Sequence, residues 1–104
     1  MEDYKIRLEK AVEKLQECND IIDTNKKHIT DFITQLCADG LSLRRQHKYL
    51  YTLKPITKGI KKDFSLFNKK DITQFLKKIN TSDYKDNTKR DFKIIIKIFF
   101  KWFP

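Results

Sequence analysis

The chain has 104 residues, of which 39% are hydrophobic, 36% charged and 12% aromatic, and its formal net charge is +9. That length holds one domain with one modest core, roughly 65% of the unfolded surface being buried, and the apolar and aromatic content excludes a disordered polyelectrolyte. Two Gly, two Pro and a single Val are too few for an all-β fold, and the longest apolar stretch, residues 94–103, is broken by Lys97 and Lys101, which excludes a membrane span.

Five helices are expected. Over residues 2–20 the positions Tyr4, Leu8, Ala11, Val12, Leu15, Cys18 and Ile22 recur at steps of three and four, with Lys5, Glu9, Glu13 and Glu17 opposite. A stripe this narrow suits a two-helix seam, against the body of the domain or against another chain. Thr24 or Asn25 can cap the second helix, which buries Ile29, Phe32, Ile33, Leu36 and Cys37 and closes at Gly40. Ser42 caps the third, with Leu43, His47, Leu50 and Leu53 inward and Tyr49 at the edge. Pro55 lacks an N–H and is expected to kink or end it, Ile56 and Ile60 marking a resumed helix or a bend. Asn68 caps a short fourth helix with Asp71 at its third position, and Ile72, Phe75, Leu76 and Ile79 face inward. Residues 80–83 break it. Asn87 or Thr88 starts the last helix, which runs toward Phe103 on a stripe of Phe92, Ile95, Ile96, Phe99, Trp102 and Phe103. So broad an apolar arc places this helix at the centre of an all-α domain.

The charge is unevenly spread. Residues 1–40 carry 6 basic and 9 acidic side chains, net −3, while residues 41–104 carry 17 and 5, net +12. A basic block joined to an acidic one implies a polyanionic partner, nucleic acid first and a membrane surface second. On the third helix Arg44, Lys48, Tyr51, Pro55, Lys58 and Lys62 fall at steps of four and three, with Arg45 beside them. On the last, Lys89, Lys93, Lys97 and Lys101 step by four, with Lys85 before them, Arg90 alongside and Asp91 as the one acid nearby. Like charges at that spacing repel by a few tenths of a kcal/mol per pair, so an uncompensated row suits an external anion; a Lys-rich solvated face is the competing reading. Arg suits base edges, which selects Arg44, Arg45 and Arg90. Lys48, Tyr51, Lys85, Thr88, Lys89, Lys93 and Lys97 suit the phosphate backbone. Few aromatics interleave with the cations, so duplex is expected rather than single strand.

Nothing in the sequence points to catalysis. Cys18 and Cys37 stand alone on the apolar stripes and are expected to be buried thiols, and His28 and His47 lack metal-ligand spacing. No Gly-rich phosphate loop is present. No cofactor, metal or small-molecule ligand is expected. The acid-led opening is unlike a secretory leader, so a cytoplasmic, DNA-associated protein is expected.

Two blocks carry a resemblance. The first runs from Asn25-Lys-Lys-His-Ile-Thr-Asp-Phe to Gly40-Leu-Ser-Leu-Arg-Arg-Gln-His-Lys-Tyr-Leu. The second is Ser82-Asp-Tyr-Lys-Asp-Asn-Thr-Lys-Arg-Asp-Phe-Lys with Ile98-Phe-Phe-Lys-Trp-Phe. In their order they resemble the N-terminal SAM-like, core-binding domain of tyrosine recombinases, the phage-integrase family, in its archaeal flavour. The resemblance covers residues 25–104. It implies a compact four-helix bundle, preceded here by an additional N-terminal helix over residues 1–24, that forms half of a clamp around double-stranded DNA during integration and recombination. The family's second and fourth bundle helices face the duplex, and they match residues 42–60 and 88–103. The strand-cleaving tyrosine and its Arg, Lys and His helpers belong to a separate catalytic domain, absent from this chain, so no enzymatic activity is expected of it alone. The additional helix either packs on the bundle or meets another recombinase protomer. Two other functions compete: a dimerisation module built on Tyr4, Leu8, Val12 and Leu15, and, less favoured, a membrane-surface helix over residues 88–103, whose aromatics suit a core better.

Overall fold

Local capping chemistry sets most of the boundaries. In the computed structural model, which describes residues 3–103, the Asp3 carboxylate accepts the Lys5 backbone N–H at 2.9 Å and opens α1 (Tyr4–Glu17). The expected start of this helix at residue 2 lies outside the described residues. Cys18 caps its far end, so α1 is shorter than the periodicity alone suggests. α2 (Asp23–Ala38) ends in a left-handed Gly40 with φ +88°. There the Leu41 N–H donates to the Leu36 carbonyl and the Gly40 N–H to the Cys37 carbonyl, both at 3.0 Å, the paired bonds that close a helix with Gly past its end. Ser42 opens α3 (Leu43–Gly59), its hydroxyl accepting the Arg45 N–H at 3.3 Å. A 3-10 turn over Phe64–Leu66 leads to α4 (Lys69–Asn80), whose start is the expected reciprocal box of Asn68 and Asp71, with bonds of 2.9 and 3.1 Å. α5 (Asp86–Trp102) begins one residue before Asn87, with Lys85 as its cap residue. The fold is all-α, with no strand among the described residues.

α3 is the hub: it packs against α1, α2 and α5, and α5 in turn carries α4. The central place expected of the last helix is thus shared. Leu50, Leu53 and Ile56 of α3, Leu15 of α1, Ile29 and Phe32 of α2 and Phe99 of α5 form the fully buried middle. Phe64, which the sequence reading left unassigned, stacks its ring among His28, Phe67, Phe99, Phe100 and Phe103. α1 belongs to this same core. Ala11 and Leu15 are buried, Leu8 and Val12 pack against the cluster, and Tyr4 meets the His47 ring edge-on at 6.4 Å. The stripe that would have served as a dimer seam is therefore occupied within the chain.

Several expectations are corrected. Asn25 is no cap: it is buried, its amide donating to the Lys62 carbonyl at 2.8 Å while its carbonyl accepts the Phe64 N–H at 2.9 Å. Cys37 is exposed and Cys18 half-buried; in the last turn of α2 it is Leu36 that turns into the core, leaving Cys37 on the solvent side, and Cys18 closes α1 at the margin of the core. On α3 the buried face is rotated from the expected one. Leu43 is 38% exposed, whereas Tyr49 is buried and stacks on Phe32 at 6.2 Å. Gln46 is buried too, because its amide donates to the Leu41 carbonyl at 2.8 Å. Pro55 does not end α3. A proline inside a helix costs about 3 kcal/mol; full burial of Leu53 and Ile56 on either side offsets it, at about 1.5–3 kcal/mol each.

Candidate nucleic-acid interface

The outer ridge of α3 lies opposite its buried face and stands between α1 and α5. Arg44, Arg45 and Lys48 are on its first two turns, all exposed, and Tyr51 follows at 48% exposure. Together with Ser42, His47 and Tyr49 they line a cleft of about 880 Å³, closed on one side by Tyr4 and Arg7 of α1 and on the other by Asp91, Ile94 and Ile95 of α5. The α3 N-terminus also points free backbone N–H groups at this end, a setting that suits anions.

Among the described residues one acid, Asp91, lines the cleft, and it is already engaged. Lys48 Nζ lies 3.0 Å from Asp91 Oδ2, with the two side chains 53% and 34% exposed. An exposed pair of this kind contributes about 0–1 kcal/mol, so a phosphate can take the place of Asp91. His47 lies between the rings of Tyr4 and Tyr51, its centroid 4.6 Å from that of Tyr51. Burial, and secondarily the nearby Arg7 guanidinium, hold its pKa below the ordinary histidine value. The cleft's charge near neutral pH therefore comes from its arginines and lysine.

The sequence-selected residues divide. Arg44, Arg45, Lys48 and Tyr51 come together in the cleft. The α5 residues do not line it. Arg90, Lys93, Lys97 and Lys101 are exposed; at 100° per residue Arg90, Lys97 and Lys101 share a crest beyond Ile94, with Lys93 turned toward the α4 side. Thr88 is half-buried, and Lys85 is exposed at the start of α5. Lys89 has a structural partner, its Nζ donating to the Asn80 carbonyl at the end of α4 at 3.0 Å. On α3, Lys58 stays exposed. Lys62 leaves the stripe because the helix has ended, and its Nζ sits 2.6 Å from Asp71 Oδ2.

Tyr4, expected on the apolar stripe of the first helix, and Arg7, which sequence reasoning does not single out, are cleft residues as well. The signal that finds Arg7 is its position beside the inward-facing Tyr4–Leu8–Ala11 stripe, on the edge next to α3. No family model, curated protein or solved structure matches the chain.

Proposed function

We propose that this chain binds duplex DNA, with the outer ridge of α3 entering the major groove and the α5 crest meeting the flanking backbone, as the core-binding domain of a tyrosine recombinase. The observation that carries the reading is the cleft itself. Two arginines and a lysine line it from a single helix, and Asp91, the one acid among its described residues, is held in a weak surface pair that an incoming phosphate can displace. Arg44 and Arg45 reach for base edges, where a guanidinium pairs bidentately with guanine; Lys48 and Tyr51 hold phosphate. The recombinase assignment is supported by the resemblance and by the order of elements that it implies: a helix closed by Gly40, a Ser42-capped cationic helix, a short fourth helix and a cationic terminal helix. A single half-clamp binds more weakly than a closed one.

Fluorescence anisotropy of a labelled duplex of about 20 base pairs, titrated with the protein across salt concentrations, tests the reading. With about five phosphates neutralised, the slope of log affinity against log salt is expected to be about −4 to −5. Arg44→Ala together with Arg45→Ala weakens binding at least tenfold. A flat salt response, no binding at low salt, or binding to anionic vesicles without binding to duplex overturns it.

A further inference from the structure

The charge division read from the sequence assigns residues 1–40 to an acidic half. In space α1 is divided along its length. At 100° per residue Arg7 and Lys14 lie about 20° apart around the helix, with Lys10 within about 60° of both. This edge faces α3: Arg7, Lys10, Ala11 and Lys14 line a groove of about 270 Å³ with His47 and Tyr51. Glu9, Glu13 and Glu17 are exposed and centred about a quarter turn further round, away from α3.

The groove and the larger cleft are contiguous. Arg7, His47 and Tyr51 line both. Among the described residues from Arg44 at one end to Lys14 at the other, Asp91 is the one acid lining either, and it is paired with Lys48. Two cationic rows thus run beside each other, one on each of two packed helices. The α1 row, Arg7 to Lys14, spans about 10 Å, and the α3 row, Arg44 to Lys48, about 6 Å, extended by Tyr51 one turn further. Packed helix axes lie about 8–10 Å apart, and the major groove of a duplex is about 12 Å wide.

We propose that α1 is a working part of the DNA surface, its Lys10 and Lys14 edge holding the phosphate strand that borders the groove entered by α3. This rests on the duplex-binding reading above and adds a contact made by a helix outside the region of resemblance. Lysine is suited to that role, as a mobile point charge that binds phosphate without reading sequence. Tyr51, whose ring lies 5.7 Å from Lys54 Nζ, bridges the two rows and offers its hydroxyl to the same strand.

The test compares salt slopes on one duplex for the whole chain. Lys10→Gln with Lys14→Gln is expected to make the log–log slope shallower by about 2, at about 0.9 per phosphate, and to weaken binding several-fold at about 100 mM salt. Lys10→Arg with Lys14→Arg keeps the wild-type slope. Glu9→Gln with Glu13→Gln, about a quarter turn further round α1, leaves the slope unchanged or tightens binding. An unchanged slope for the glutamine pair, while Arg44→Ala with Arg45→Ala still weakens binding, overturns the α1 contact and leaves the duplex reading standing. Absence of duplex binding by the wild-type chain overturns both.

Discussion

His47 and Asp63 are two residues whose protonation the fold opposes. Burial, then the Arg7 guanidinium, lowers the His47 pKa below its ordinary 6.5. Asp63 is held well below the usual carboxylate range, first by the Thr24 hydroxyl, then by the Ser65 backbone and side chain, with His28 adding a weaker pull. Its carboxylate accepts the Ser65 N–H at 2.8 Å and lies 3.4 Å from His28 Nε2. In both cases the unfolded chain takes up a proton before the folded one, so stability falls on acidification. The His47 contribution is present above the unfolded histidine value and is lost as the pH drops from about 6.5 through the lowered folded value. The Asp63 contribution is present above about 4 and is lost in stronger acid. Urea denaturation at pH 7.5 and pH 5.5 is expected to show a loss of stability for the wild type that is smaller in His47→Gln. Equal losses in the two proteins contradict this account of His47.

The helices that sequence reads best are those whose ends are fixed within a turn. Ser42 with Arg45, Gly40 with Leu36 and Cys37, and Asn68 with Asp71 are all set by residues three to five apart, and each was legible. What was not legible depends on residues far apart in the chain. Asn25 looks like a cap, yet it clamps the segment at residues 62–64, thirty-seven and thirty-nine positions away. Gln46 is polar and carries no apolar signal for the α3 stripe, but the Leu41 carbonyl satisfies it and lets that face turn inward. Lys26, also buried, donates to the Gln16 carbonyl at 2.8 Å and so caps α1 from α2. Because Asn25 ties α2 to the link between α3 and α4, Asn25→Ala leaves a part-buried carbonyl and a buried N–H without partners. Each such group costs about 1–3 kcal/mol, and the variant is expected to lose about 2–3 kcal/mol of unfolding free energy with its helix content retained. A loss under 0.5 kcal/mol shows that the clamp is not what holds this link.

Across the whole molecule the arrangement of charge differs from its order in the sequence. In sequence order an acidic segment is joined to a basic one expected to bind a polyanion. Folding instead turns the α1 acids outward and the edge bearing Lys10 and Lys14 toward the α3 ridge. It also withdraws Lys62 and Lys89 into contacts with Asp71 and Asn80. The α3 part of the site was legible because an outer stripe at helical spacing survives any rotation that keeps its buried side in. The α5 part was legible as a row of cations but not as a separate crest, since Ile94 and Asp91 stand between it and the cleft. The most direct test of the account is chemical-shift mapping of the full chain as duplex DNA is added at low salt. The predicted result is that perturbed amides concentrate at residues 42–51 with a second group along residues 90–101, and that raising the salt reverses them. Perturbations centred on α4 or on the exposed end of α2, with residues 42–51 unmoved, would contradict it.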